Sequence, residues 1–103
     1  IPIPANGIVN WKDAPNFYNR DVTVEGKVVK IYNSGRVMFL QFSDSPDTDM
    51  KAVIFPSDWG KFSDRPDRLF FGKTIRVTGR VQKFEGAPEI IVNNPSQIVA
   101  VGD

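Results

Sequence analysis

The sequence predicts an all-β domain, a small and tightly curved barrel, on two observations. One eight-residue pattern is written twice, as Val24-Glu25-Gly26-Lys27-Val28-Val29-Lys30-Ile31 and as Val77-Thr78-Gly79-Arg80-Val81-Gln82-Lys83-Phe84. Each copy has Gly, a basic residue and Val at its centre, and each runs into turn-prone residues and then another apolar run. The second observation is the alternation of apolar and polar residues, which is the period of a half-buried strand. Glycine inside such a pattern marks a bulge or a sharp bend. Two long strands, each bent at a glycine and followed by a hairpin, are what a curved barrel requires.

The elements follow in order. Residues 1–7 (Ile-Pro-Ile-Pro-Ala-Asn-Gly) read as linker, leaving 8–103 as a single domain. A short helix capped by Asn10 or Asp13 places Trp11, Ala14 and Phe17 on one face, where it plugs the barrel. Pro15 suits the first turn under the second cap and kinks the helix under the first. The first strand runs from about Asp21 to Tyr32, with Val22, Val24, Gly26 and Val28 inward. A one-residue bulge after Gly26 re-phases it, because Val29 and Ile31 are out of step. Asn33-Ser34-Gly35 turns the chain into a second strand, Val37–Phe42, with Leu40 and Phe42 inward and Phe39 and Gln41 outward.

Ser43–Asp49 is a polar loop and Lys51–Phe55 a third strand. Two helical turns follow, one from Pro56 and one with Asp64 as N-cap, Pro66 in its first turn and Gly72 past its end. The fourth strand spans Lys73–Phe84. The fifth begins at Glu89, bends at Asn93-Asn94-Pro95 and resumes through Val101. Three strands, a helical insert, then two strands is the order of the five-stranded Greek-key barrel called the OB-fold. An SH3-like barrel would not need an insert of this length.

Composition limits the chemistry. With 103 residues, 41% hydrophobic and 24% charged, the chain is one ordinary globule with a core of its own. It has no cysteine and no histidine, which removes disulfides, thiolate metal sites and the usual general base. A formal net charge of +1 exerts no global pull on nucleic acid, so any such affinity needs a local patch. No apolar run is long enough to insert in a membrane. Opening on Ile rather than Met suggests a piece of a longer or processed protein. There is no Gly-rich phosphate loop and no nucleophile elbow, so the expected domain is not an enzyme.

Val22–Val28, Phe39–Asp44, Gly72–Val81, Pro88–Val92 and Pro95–Ile98 together resemble the OB-fold domains of tRNA-anticodon-binding type. Such domains stand at the front of class II aminoacyl-tRNA synthetases and occur as modules in bacterial secreted nuclease-like proteins. The preface Ile8–Ala14 is similar to that of the secreted modules, which favours an extracellular or cell-envelope location over the cytoplasm. The resemblance spans about Ile8 to Val101. It implies single-stranded DNA or RNA binding across strands two and three, as an accessory domain.

The candidate site residues are Lys30, Tyr32, Arg36, Phe39, Gln41, Lys51, Lys83 and Phe84. Phe39 on the outward face of strand two is a stacking platform. Tyr32 and Phe84 sit at matching ends of the two Gly-bent strands, with Lys30, Arg36 and Lys83 clustered beside them by the same symmetry. Basic residues interleaved with aromatics are the pattern of single-strand binders. Arg76 and Arg80 face out on strand four, where Glu25 can balance their charge. Asp44, Asp47 and Asp49 form a solvated acidic loop rather than a cation site, since Pro46 interrupts it and no closing Glu follows. No cofactor or metal is expected. A different reading makes the domain a structural or protein-interaction module that positions a neighbouring domain through Trp11, Trp59 and the helical insert.

Overall fold

The computed structural model describes residues 1–45 and 49–103, and those residues form nine strands in two sheets. One sheet has the order β1 (Ile8–Asn10), β2 (Asp21–Lys27), β6 (Thr74–Arg80), β9 (Ile98–Gly102). The other has the order β3 (Lys30–Asn33), β4 (Met38–Gln41), β5 (Lys51–Ile54), β8 (Ala87–Ile91), β7 (Gln82–Phe84). This corrects the expected barrel: three of its five strands are each split, and the halves lie in different sheets that do not close into one. The buried faces of both sheets share a core that includes Val24, Val28, Leu40, Ile54, Ile75, Val77, Val81 and Ile90.

Two of the splits fall inside the repeats, about two residues past each glycine. Val28 donates its N–H to the Lys73 carbonyl at 2.9 Å, while the next residue, Val29, donates to Gln41 at 2.9 Å. Adjacent amides therefore serve opposite sheets, and the chain passes from β2 into β3. In the second copy the crossing residue is Val81, whose N–H goes to Arg20 at 3.0 Å and whose carbonyl accepts from Asn19 at 2.7 Å. At the third crossing, between β8 and β9, a short 3₁₀ turn (Pro95–Gln97) is closed by a capping box with Asn94. The Gln97 amide nitrogen donates to Thr78 of one sheet at 3.0 Å and to Ile91 of the other at 3.1 Å. Its oxygen accepts from Asn93 and Asn94. One side chain thus satisfies backbone groups that the bend would otherwise orphan.

The glycines serve close packing rather than an unusual backbone, since neither Gly26 nor Gly79 has a positive φ. A β-carbon at Gly26 would stand 2.6 Å from Trp11 Cδ1 and 2.7 Å from Phe42 Cδ1. At Gly79 it would stand 2.8 Å from Ile90 Cγ2.

The N-terminal segment differs from its expectation. Ile8–Asn10 is a strand, paired in parallel with β2, and the helix after it is a 3₁₀ helix (Trp11–Phe17) that contains Pro15. Asn10 is its cap, accepting from the Lys12 amide. Three residues per turn stacks Trp11, Ala14 and Phe17 on one face. Ala14 and Phe17 are buried, and the Trp11 ring lies on Phe42 with centroids 6.2 Å apart.

Between β5 and β6 stand α1 (Pro56–Trp59) and α2 (Pro66–Phe70). Arg65, not Asp64, holds the cap position of α2, and Asp64 accepts the Arg65 amide instead. Gly72 past its end has φ +75°. The Trp59 indole donates to the Ile54 carbonyl at 2.9 Å, and Phe62 meets Phe70 edge to face. Both tryptophans are thus absorbed by the domain's own packing.

Candidate nucleic-acid interface

The site is built on the outer face of the five-stranded sheet. Cross-strand partners share a face, and the register aligns Lys30, Gln41, Lys51 and Glu89 across β3, β4, β5 and β8. One step along, Tyr32, Phe39 and Val53 form a second row. From the far edge, Phe84 pairs with Ala87 and completes the wall. The result is a groove of about 250 Å³ lined by Lys30, Tyr32, Phe39, Gln41, Lys51, Phe84 and Glu85. Six of the eight residues singled out in the sequence meet here.

Two do not. Lys83 sits between Gln82 and Phe84, so alternation turns it to the opposite side, where its ammonium lies 5.7 Å from the Tyr18 ring centroid. The symmetry argument fails because the repeats enter this sheet out of phase. Two residues, Val28 and Val29, separate β2 from β3, but Val81 alone separates β6 from β7. The two copies are equally long, so nothing is inserted: the groove row takes Lys30 from the first copy but Gln82, the counterpart of Val29, from the second, opposite Glu89. Arg36 belongs to the β3–β4 hairpin, exposed beside Gly35 (φ +84°), and is not among the groove's lining residues.

Phe39 lines the groove without being its open platform. Tyr32 stacks against it at 6.0 Å and 18°, and the Lys51 ammonium lies 5.2 Å from its centroid. Its covering comes from these neighbours on its own face. The open aromatic surfaces are Tyr32 and Phe84, 51% and 46% exposed.

The charge balance is close to even. Glu85 was not anticipated, and it reaches the groove from a two-residue hairpin turn in which it has φ 50° and Gly86 φ 84°. Glu89 was missed as well, though its place in a strand opposite Lys51 is not readable without the register. Burial pushes its carboxyl above the ordinary value; Lys51 offsets part of that rise and Glu85 adds to it. Gln41 is 4% exposed, and its side-chain oxygen has no hydrogen-bond partner.

Along β6 the charges pair. Arg76 donates to Glu25 at 2.8 Å and Arg80 lies 4.0 Å from Asp21, so the stripe on β6 is charge-balanced. In the acidic loop Asp49 accepts the Ser43 hydroxyl, and Asp47 falls outside the described residues. Among the described residues no cluster of carboxylates is placed to hold a metal ion. A larger hollow of about 550 Å³ lies between β3 and α2, lined by Ile31, Asn33, Asp67, Arg68 and Phe71. Its carboxylate, Asp67, is gripped by Arg65, whose hydrogen bond lowers the Asp67 pKa. It offers a single exposed aromatic, against two in the smaller groove.

The family model of the tRNA-anticodon OB-fold nucleic-acid-binding domain matches residues 22–95, a span that contains every candidate site residue. The chain belongs to this family. Among solved structures, this OB-fold domain is similar to aspartyl-tRNA synthetase from Entamoeba histolytica, with a TM-score of 0.67 and 17% identity over 99% of this chain and 23% of that one. It is similar to asparaginyl-tRNA synthetase from Pyrococcus horikoshii, with a TM-score of 0.58 and 19% identity over 91% and 23%. It is also similar to an OBody bound to hen egg-white lysozyme, with a TM-score of 0.56 and 23% identity over 86% of each chain. At these identities the likeness is one of fold. The domain spans about a quarter of the synthetase chains it resembles. No curated protein sequence matches it.

Proposed function

We propose that this OB-fold domain binds single-stranded nucleic acid, weakly and with tolerance of sequence, as a non-catalytic accessory part of a larger protein. The observation that carries the reading is the meeting of two open aromatic rings, Tyr32 and Phe84, with Lys30 and Lys51 on one groove of a nucleic-acid-binding family. Each base has a π-face, so stacking is indifferent to sequence, and ammonium groups beside the rings take the phosphates. Glu85 and Glu89 temper the attraction. The competing docking reading loses its anchors, because Trp11 and Trp59 are packed inward.

Fluorescence anisotropy with labelled oligo-dT tests it. The expected dissociation constant is weaker than about 1 μM at physiological salt. Two lysines neutralising phosphate give a slope of log affinity on log salt of about −1.4, at roughly −0.7 per phosphate on a single strand. Tyr32→Ala should cost about 1–3 kcal/mol and leave the slope alone, since stacking releases no counterions. Lys30→Ala should flatten the slope by somewhat under one unit, while Lys83→Ala should change neither quantity. No binding at low salt, or a Tyr32→Ala variant that binds like the parent, refutes the proposal.

A further inference from the structure

β3 is an edge strand of the five-stranded sheet, and a cleft opens along that edge. Gly72 donates its N–H to the Val28 carbonyl at 2.9 Å, and Val28 donates to Lys73 at 2.9 Å. Beyond Val28 the two chains part, one running on as β3 and the other leading back into α2. Between them lies the hollow lined by Ile31, Asn33, Asp67, Arg68 and Phe71. A second hollow of about 500 Å³ shares Asn33 and Asp67 with it and extends it past Met38, Phe62 and Pro66. Ile31 and Asn33 alternate with Tyr32, so this trough lies on the other side of β3 from the aromatic groove.

The edge of β3 carries unused backbone groups. Hydrogen-bonded pairs recur at every second residue of an antiparallel ladder. Ser34 donates to Val37 at 3.1 Å, which makes Tyr32–Phe39 and Lys30–Gln41 the bonded pairs. Ile31 and Asn33 therefore turn their N–H and C=O groups away from β4, and among the described residues no backbone partner meets them there. Across the cleft, Phe71 is 59% exposed. Asp67 is held by Arg65 at 2.6 Å, whereas the Arg68 guanidinium has no partner among the described residues.

We infer that this cleft docks an extended segment of a partner protein, apolar and acidic in alternation, which joins the five-stranded sheet as a strand beside β3. Its main chain pairs with Ile31 and Asn33 and supplies the affinity. Side chains two apart on a strand share a face, so one apolar residue lies on Ile31 and Phe71 while a carboxylate beside it meets Arg68. A nucleic acid would bring phosphate to Arg68 but no amide ladder to the strand edge. A second copy of the chain is disfavoured by charge, because two β3 edges laid together would gather Lys30, Arg36 and Arg68 of both at one seam. The inference is independent of the single-strand reading, which uses the other face.

The probe is a capped peptide, Thr-Val-Thr-Glu-Thr-Val-Thr, whose valines and glutamate share one face. Titrated into the isotope-labelled full chain, it should shift the Ile31 and Asn33 amides and slow their hydrogen exchange by about tenfold or more. Arg68→Glu should weaken binding about tenfold, and a peptide with lysine in place of glutamate should restore it to that variant. Methylating the peptide's backbone nitrogens one at a time should abolish binding at alternate positions only, as for a strand paired on one side. Oligo-dT should bind alongside the peptide. Unmoved Ile31 and Asn33 amides at millimolar peptide overturn the inference, as does a methylation pattern that does not alternate. An Arg68→Glu variant that binds the glutamate peptide like the parent overturns it too. Displacement of the peptide by oligo-dT assigns the cleft to nucleic acid instead. Shifts of the same amides with protein concentration alone assign it to a second copy.

Discussion

Replacing Gly26 by alanine adds one carbon, and the structure says where it goes. The new atom would lie 2.6 Å from Trp11 Cδ1 and 2.7 Å from Phe42 Cδ1, both well inside van der Waals contact. Neither neighbour is a loose chain end: the two rings stack on each other, Phe42 is buried, and Trp11 is fixed at the start of the 3₁₀ helix. Relief therefore requires the plug to move off β2. Overpacking of this kind costs about 1–3 kcal/mol. Alanine's lower unfolded-state entropy opposes that by about 0.4–1 kcal/mol, so the net loss expected is roughly 1–2 kcal/mol. Urea unfolding followed by tryptophan fluorescence should show it as a lower midpoint with an unchanged slope. Gly60→Ala is the control, because that residue has φ −70° and nothing within 4 Å of its would-be β-carbon. It should be neutral or stabilising by up to about 1 kcal/mol. If Gly26→Ala and Gly60→Ala shift the midpoint alike, the close approach of Trp11 to β2 is not what the glycine is for.

Two further predictions concern the groove's carboxylates. Glu85→Asn should stabilise the domain by roughly 0.5–1 kcal/mol, since asparagine tolerates the left-handed conformation that Glu85 adopts, and it should tighten oligonucleotide binding by removing a negative charge from the groove. Thermal melts and anisotropy on the same variant check both halves. Glu89, raised above the ordinary value of 4.5 by burial, binds its proton more tightly folded than unfolded. Its ionisation therefore weakens the fold as pH rises through the raised value, and Glu89→Gln should be more stable than the parent at pH 7 by a margin that vanishes below about pH 4.5. A margin that is constant from pH 4 to pH 8 refutes this.

What the sequence disclosed depended on whether one strand could be read alone. Alternation through Val22, Val24, Gly26 and Val28 gives their inward face correctly, since each is buried. The out-of-step Val29 even locates the re-phasing, although it appears as a passage between sheets instead of a bulge within one. Register is a different kind of information. That Gln41, Lys51 and Glu89 stand side by side depends on which strands pair and with what offset, and β5 pairs β8 across more than thirty intervening residues. The repeat invited a symmetric placement of Lys30 and Lys83, but the two copies pair one residue out of step in this sheet, Lys30 with Gln41 and Gln82 with Glu89. A repeated pattern thus fixes two similar bends without fixing what lies beyond them, because the side-chain period of a strand is two and a one-residue difference in register inverts it. The groove is the product of that difference in register: Ile31 is the repeat's counterpart of Phe84, yet it is Tyr32, one residue on, that lines the groove with Phe84.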